Sequence, residues 1–409
     1  MRIWRCLPQR RTVLKRGNGS KVVDENGKVY LDLQSGYWCN VLGYGNPQFI
    51  EPVVEQMRTL NNVMSAFQTD EINGAMEELG KVLPPQLDRF AFLNSGSEAV
   101  DLALKIARAA TGRGGVVVNE RGYYGATAYT MSISISGAGV DYLPDPGVVY
   151  KVPAPLCNHC SFANRDNCKD FKCLDLLKKL VDDGNDEIAA IIYEPILGGG
   201  ILVPPIGYGA KLREYADGLG ALLIANEVTT GAGKTGRMFA HMYDDVTPDI
   251  MTLGKAIGGG FPVSVVVTTG RVEEMCGDKV YHVQSHQNDA LSGRVVQTLL
   301  SVIRENDLVR VAEEKGAYWM GKLEEIKREL PIIVDVRGRG LMFGVEIDDN
   351  YASLGVDIQN EMIDKGYLMD FHASTNTFRF FPPYVITYEE INEFNNVFGE
   401  TISSYYDAG

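Results

Sequence analysis

No stretch of this 409-residue chain reaches the roughly 18 uninterrupted apolar residues that a membrane-crossing helix needs, so no such helix is expected. The opening run from Met1 to Pro8 lacks the apolar core of a secretory signal, which points to a cytoplasmic protein. Cationic side chains are the minority, 39 against 53 acidic ones, and the net charge is −14. That balance argues against nucleic acid or an anionic membrane as the main partner. Seven cysteines are too few for a disulfide scaffold. Internal repeats and low-complexity tracts are absent too, which excludes solenoids and disordered arrays.

What is present is ordinary for a globular protein: 45% apolar and 22% charged residues, in a chain long enough for two or three domains. Residues 20–33 read as a hairpin turning at Glu25-Asn26-Gly27. From about 50 to 290, apolar runs (116–119, 188–195, 221–226, 249–253 and 263–269) alternate with helical spacing at 97–110, 172–183 and 208–218. This rhythm predicts an α/β domain, with a mixed, mostly parallel sheet between helices. Beyond 290 a long helical stretch (294–329) leads to strands near 332–337 and 340–347, a helix at 356–366, a strand at 377–381 and a helix from 387. The reading is an N-terminal segment (1–49), a large domain (50–290) and a smaller C-terminal α+β domain (291–409).

Ligands of open α/β sheets sit at the carboxyl ends of the strands. Glu194, Asn226 and Lys255 fall at three such ends. One polar strand end is common, but three that converge suggest a site. Lys255 precedes the Gly258-Gly-Gly260 run, where backbone can approach a bulky ligand, and a desolvated lysine is a ready nucleophile. Asn94-Ser-Gly-Ser-Glu98 opens a helix and suits either a phosphate seat or a plain N-cap. Tyr123, after the 116–119 strand, suits stacking on a flat ligand or simple packing.

Taken in order, Asn94–Glu98, Tyr193-Glu-Pro-Ile196, IANEVTTGAGKTG (224–236) and TLGKAIGGGFP (252–262) resemble the class III aminotransferases. These are fold-type-I enzymes dependent on pyridoxal 5'-phosphate (PLP). The resemblance runs from about 17 to 387, and 29 positions separate Asn226 from Lys255. It implies that Lys255 forms the Schiff base with PLP and shuttles a proton. Ser95, Gly96 and Ser97 would hold the phosphate, and Tyr123 and Val228 would flank the ring. Thr229 stands where the family usually has a Gln near the ring hydroxyl, and Glu194 and Asn226 also face the cofactor. Ser285 would serve the neighbouring subunit's phosphate, which implies a homodimer with shared sites. Arg379 would grip the substrate α-carboxylate with a bidentate fork, although a structural ion pair is the alternative. Tyr37 and Trp38 would line the substrate pocket, or else pack in the core.

Three departures stand out. Asn226 replaces the Asp that keeps the ring nitrogen protonated, and a neutral amide can instead donate a hydrogen bond. Gly198 replaces a Glu that masks the arginine in ornithine- and 4-aminobutyrate-type enzymes, which favours α-amino acids over ω-amines. Cys157, Cys160, Cys168 and Cys173 crowd 17 residues with His159. They suit a structural zinc or iron–sulfur site, or a loop of reduced thiols; no metal is the expectation. The leading function is transfer of an amino group from an α-amino acid to a 2-oxo acid. The alternatives are an amino-acid racemase using Lys255 and Tyr124, and a degenerate PLP-binding protein.

Overall fold

In the central strands both residues of each alternating pair are apolar, and the fold buries both. The computed structural model describes residues 10–135, 140–160 and 168–408. The Met1–Pro8 opening and part of the Cys157–Cys173 segment therefore lie outside the described residues. The strands are β1 (Leu14–Asn18), β2 (Lys21–Asp24), β3 (Val29–Asp32), β4 (Leu87–Leu93), β5 (Gly115–Asn119), β6 (Val149–Val152), β7 (Ile188–Tyr193), β8 (Leu222–Asn226), β9 (Ile250–Leu253), β10 (Ser264–Thr269), β11 (Ile333–Arg339), β12 (Met342–Ile347), β13 (Tyr367–Leu368), β14 (Asp370–His372) and β15 (Thr377–Phe380).

Seven of them form one sheet in the order β4-β10-β9-β8-β7-β5-β6. Pairing is parallel from β9 through β6, while β10 runs antiparallel to both its neighbours. Val117, Ile191, Leu223 and Val265 enter one core, and Val116, Val118, Ile192, Ile224 and Val266 enter the other. The helix Gly96–Thr111 covers the second face through Ala99, Val100, Leu102 and Ala103. Helices Asp175–Asp182, Tyr208–Leu219 and Ala290–Glu305 supply residues to the first. At about 25 cal/mol per Å² of apolar surface, such two-sided burial dominates the stability of the domain. Edge strand β4 escapes the sequence pattern because Asp88 and Arg89 are exposed on it.

A second sheet, β11-β12-β15-β14, is antiparallel and packs around Trp319, Phe343, Phe380, Phe394 and Phe398. A third, β1-β2-β3-β13, ties the N-terminal strands to β13 of the C-terminal stretch. Its β2–β3 turn is closed by the Asp24 carboxylate, which accepts from the N–H groups of Asn26 and Lys28, with Gly27 at φ 84°.

The stretch 294–329 is not one helix. It divides into Ala290–Glu305 and Leu308–Glu329 because Asp307 takes a left-handed φ of 51° and Asn306 turns its amide back onto the Val302 carbonyl. No helix among the described residues is long and apolar enough to cross a membrane.

Candidate active site

Parallel strands leave their carboxyl ends on one edge, so the turns after β5, β7, β8 and β9 converge there. Lys255 follows β9 at φ 45°, a left-handed conformation disfavoured for a side chain with a Cβ and commonest where function holds it. Burial pushes its amine down to about 8, opposed by the neighbouring Glu194 carboxylate and the Cys39 thiol.

Glu194 is itself buried. One of its oxygens accepts from the Tyr123 N–H at 2.8 Å and the other from the Gly198 N–H at 3.1 Å, so it ties together the turns after β5 and β7. Burial raises its carboxyl above the ordinary value. Asn226 ends β8, with Oδ1 accepting from Thr252 Oγ1 (3.1 Å) and the Val228 N–H (3.3 Å), and Nδ2 donating to the Tyr123 carbonyl (3.4 Å).

At the start of helix Gly96–Thr111, Ser95 Oγ accepts from the Glu98 N–H, the N-cap bond expected of it. Ser97 Oγ accepts from the Ala126 N–H at 2.9 Å, and the Ser95 carbonyl accepts from Ser264 Oγ at 2.8 Å. A Cβ on Gly96 would lie 2.7 Å from Val228 Cγ1, and one on Gly125 would lie 2.7 Å from Ser97 Oγ, so both positions need glycine. Thr229 Oγ1 is buried with no hydrogen-bond partner among the described residues. A glycine-lined helix N-terminus, hydroxyls with donors to spare and one orphaned buried hydroxyl fit a phosphorylated pyridine. A cavity of about 250 Å³ opens alongside, bordered by Asn94, Asn62 and Phe261.

Trp38 bridges the two cations. Its ring lies 5.1 Å from Lys255 Nζ and 4.9 Å from Arg379 Cζ, with Phe381 stacked on it at 5.3 Å. Its Nε1–H donates to Gln34 Oε1. Arg379, on β15, donates from Nε to Asp370 Oδ2 (2.7 Å) and from Nη1 to the Gly198 carbonyl (2.9 Å), and its Nη2 stands 2.5 Å from the same Asp370 oxygen in an ion pair. The ion pair offered as the alternative for Arg379 is thus present, and at least one N–H remains on each terminal nitrogen to meet a carboxylate. Tyr37 and Tyr123 are exposed.

Sequence reasoning missed Thr252, Asp370 and Cys39. Asp370 faces Arg379 directly across β14–β15, and Thr252 faces Asn226 across β8–β9. Only cross-strand register reveals these pairs. Tyr124 is not available as an acid or base. It is 1% exposed, its hydroxyl accepts from the Asn119 N–H, and burial raises it well above its ordinary value. Ser285 is exposed on a loop, where its carbonyl accepts from Asn62 Nδ2 at 2.9 Å.

In the cysteine segment, His159 Nε2 meets Glu346 Oε1 at 2.5 Å, and burial pushes the Cys173 thiol up to about 12. No group of three or more His, Cys, Asp or Glu among the described residues is arranged to hold a metal ion. The neighbouring Cys157, Cys168 and Cys160 thiols add to the rise at Cys173.

Solved structures repeat this architecture. An aminotransferase from Bacillus anthracis superimposes with a TM-score of 0.90 at 28% identity, over 98% of this chain and 96% of that one. The ornithine aminotransferase of Toxoplasma gondii gives 0.86 at 26%, over 100% and 94%. The fold is thus that of the PLP-dependent transaminases of fold type I.

The chain belongs to the class III aminotransferases, whose family model matches residues 7–402. It is 32% identical to the [LysW]-aminoadipate semialdehyde/glutamate semialdehyde transaminase of Sulfolobus acidocaldarius, over 98% of this chain and 97% of that one. It is 34% identical to the acetylornithine aminotransferase of Mycobacterium leprae, over 93% and 88%. The protein is a PLP-dependent aminotransferase.

Proposed function

We propose that this enzyme moves the amino group of an α-amino acid to a 2-oxo acid, with Lys255 as the amine that anchors PLP. The observation that carries the reading is the pair of cations on one indole: Lys255 and Arg379 each lie about 5 Å from the Trp38 ring. An amine-directed group and a carboxylate-directed group on one aromatic wall suit a substrate whose amine and carboxylate share one carbon.

PLP, when bound, supplies an aldehyde that condenses with primary amines and a ring that accepts the electron pair left on carbon when a proton departs. The remaining work falls to the chain. Ser95, Gly96 and Ser97 would hold the phosphate at the helix N-terminus. Tyr123 and Val228 would flank the ring, Thr229 would meet its hydroxyl, and Asn226 would stand at its nitrogen. Glu194 holds the Tyr123 and Gly198 turns in place. Lys255 Nζ, whose pKa burial lowers to about 8, would take the proton from the substrate Cα and hold it for return. Arg379 would fix the α-carboxylate through its two spare N–H bonds, while Trp38 excludes water between them and Tyr37 borders the mouth.

A second copy of the chain would bring Ser285 to the phosphate. Exposed Met64, Phe67, Tyr281 and Val283 lie in the two segments that Asn62 joins through Ser285, and they offer apolar surface for such a dimer.

Gly198 supports the substrate class. A Cβ there would already meet Trp38 Cζ3 at 3.0 Å, so the indole fills the space a longer side chain would need. The named relatives are transaminases, and Tyr124 is sealed away, so racemisation finds no support. The experiment is to give the holoenzyme single amino acids and follow the visible band of bound cofactor together with 2-oxo acid. Conversion by α-amino acids is the expected result. Exchange of the α-hydrogen without oxo acid, or turnover of ω-amines alone, rejects the proposal.

A further inference from the structure

We infer that the Val228 N–H and the Tyr123 carbonyl lock the Asn226 amide with its NH2 group toward the cofactor seat, so that the pyridine nitrogen of bound PLP is carried unprotonated. The inference rests on the reading that Asn226 stands at that nitrogen. The argument is a count of donors and acceptors around a side chain only 3% exposed.

Asn226 pairs with Thr252 across the parallel β8–β9 register, and Thr252 is fully buried. The Thr252 hydroxyl reaches Asn226 Oδ1 at 3.1 Å, and the Val228 N–H reaches the same oxygen at 3.3 Å. A hydroxyl can donate or accept, but a backbone N–H only donates. On the other side of the amide the Tyr123 carbonyl, which only accepts, lies 3.4 Å from Nδ2. Turning the amide over would set its NH2 against the Val228 N–H and its oxygen against the Tyr123 carbonyl. Both contacts would be repulsive in a buried site, where unpaired polar groups cost most. The amide therefore has one orientation.

In that orientation both lone pairs of Oδ1 are occupied and one proton of Nδ2 remains unused. A newcomer to Asn226 must accept a hydrogen bond. A ring nitrogen with a free lone pair meets that requirement, whereas a protonated one would set N–H against N–H. Thr252 fills the second lone pair of Oδ1 but, as a hydroxyl, does not choose the orientation.

The test is nitrogen NMR of the holoenzyme loaded with PLP labelled at the ring nitrogen with ¹⁵N, recorded at neutral pH. Wild type should give the signal of an unprotonated pyridine nitrogen. Asn226→Asp should move it to the protonated position. Thr252→Val should keep the unprotonated signal, because the Val228 N–H and the Tyr123 carbonyl still fix the amide. A protonated signal in wild type, or an unmoved signal in Asn226→Asp, overturns the inference. A protonated signal from Thr252→Val overturns the assignment of the lock to Val228 and Tyr123. If Thr252→Val does not fold, wild type and Asn226→Asp decide the matter between them. Should borohydride reduction leave no cofactor attached to Lys255, it is the proposed function that fails, and the two failures are thereby distinguished.

Discussion

Replacing Arg379 by lysine isolates the proposed carboxylate grip. Lysine keeps the charge but loses the planar fork, so a carboxylate held by two parallel N–H bonds would keep at most one. In wild type Nε donates to Asp370 and Nη1 to the Gly198 carbonyl, Nη2 pairs with the same Asp370 oxygen, and each terminal nitrogen keeps at least one N–H to offer. Losing one charge-assisted hydrogen bond costs about 1.5–3 kcal/mol. At about 1.36 kcal/mol per decade that predicts a rise of about 10- to 100-fold in the amino-acid concentration that half-saturates conversion of the holoenzyme. The assay is a single-turnover titration of the cofactor band with an α-amino acid and, separately, with a primary amine of similar size that lacks the carboxylate. The amino acid should weaken by the stated factor and the amine should be nearly unchanged. Equal losses for both would show that Arg379 supports the pocket through Asp370 without holding substrate, and no loss for either would remove it from the site.

Attachment of PLP to the apoprotein should accelerate as pH rises through about 8, because burial lowers the Lys255 pKa to that value and only the neutral amine attacks. Stopped-flow binding across that range checks it, and a flat profile contradicts it. The same shift has a stability consequence. The unfolded lysine keeps its proton up to about 10.4 while the folded one releases it near 8, so the unfolded state binds more protons in between and apoprotein stability should rise with pH over that window. Gly316→Ala should lower the unfolding free energy by about 1–3 kcal/mol, the usual range for overpacking, and move the denaturant midpoint down with it. Its Cβ would fall 2.1 Å from the Gly340 carbonyl oxygen, backbone that cannot swing aside. A denaturant titration with an unchanged midpoint would refute this.

Much of the site was legible in the chain because its chemistry sits at strand ends. A buried parallel strand is a short apolar run, and the first polar residue after it marks the edge where ligands bind. Glu194, Asn226 and Lys255 are candidates singled out in that way, and the motif order around them carries the family. The α/β alternation was equally plain, since a sheet buried on both faces leaves continuous apolar runs. What periodicity could not show was register. Asp370 meets Arg379 and Thr252 meets Asn226 only once neighbouring strands are aligned, and nothing local distinguishes those residues from other polar strand residues. The break at Asp307 was hidden for a related reason, because the helical pattern continues across it and only the backbone turns.

By itself, then, the sequence determined that a lysine follows a buried strand before a glycine run, that an amide stands where its family has a carboxylate, and that position 198 has no side chain. These are matters of residue identity and spacing. The tertiary structure alone decided what those residues can do. It brought the Gly198 carbonyl to an arginine 181 positions away. It placed one indole against both cations, and it spent the oxygen of Asn226 on Thr252 and Val228 so that only an N–H is left to offer. Hydrogen-bonding capacity belongs to the residue type, but which part of it remains free is set by neighbours that only the fold supplies.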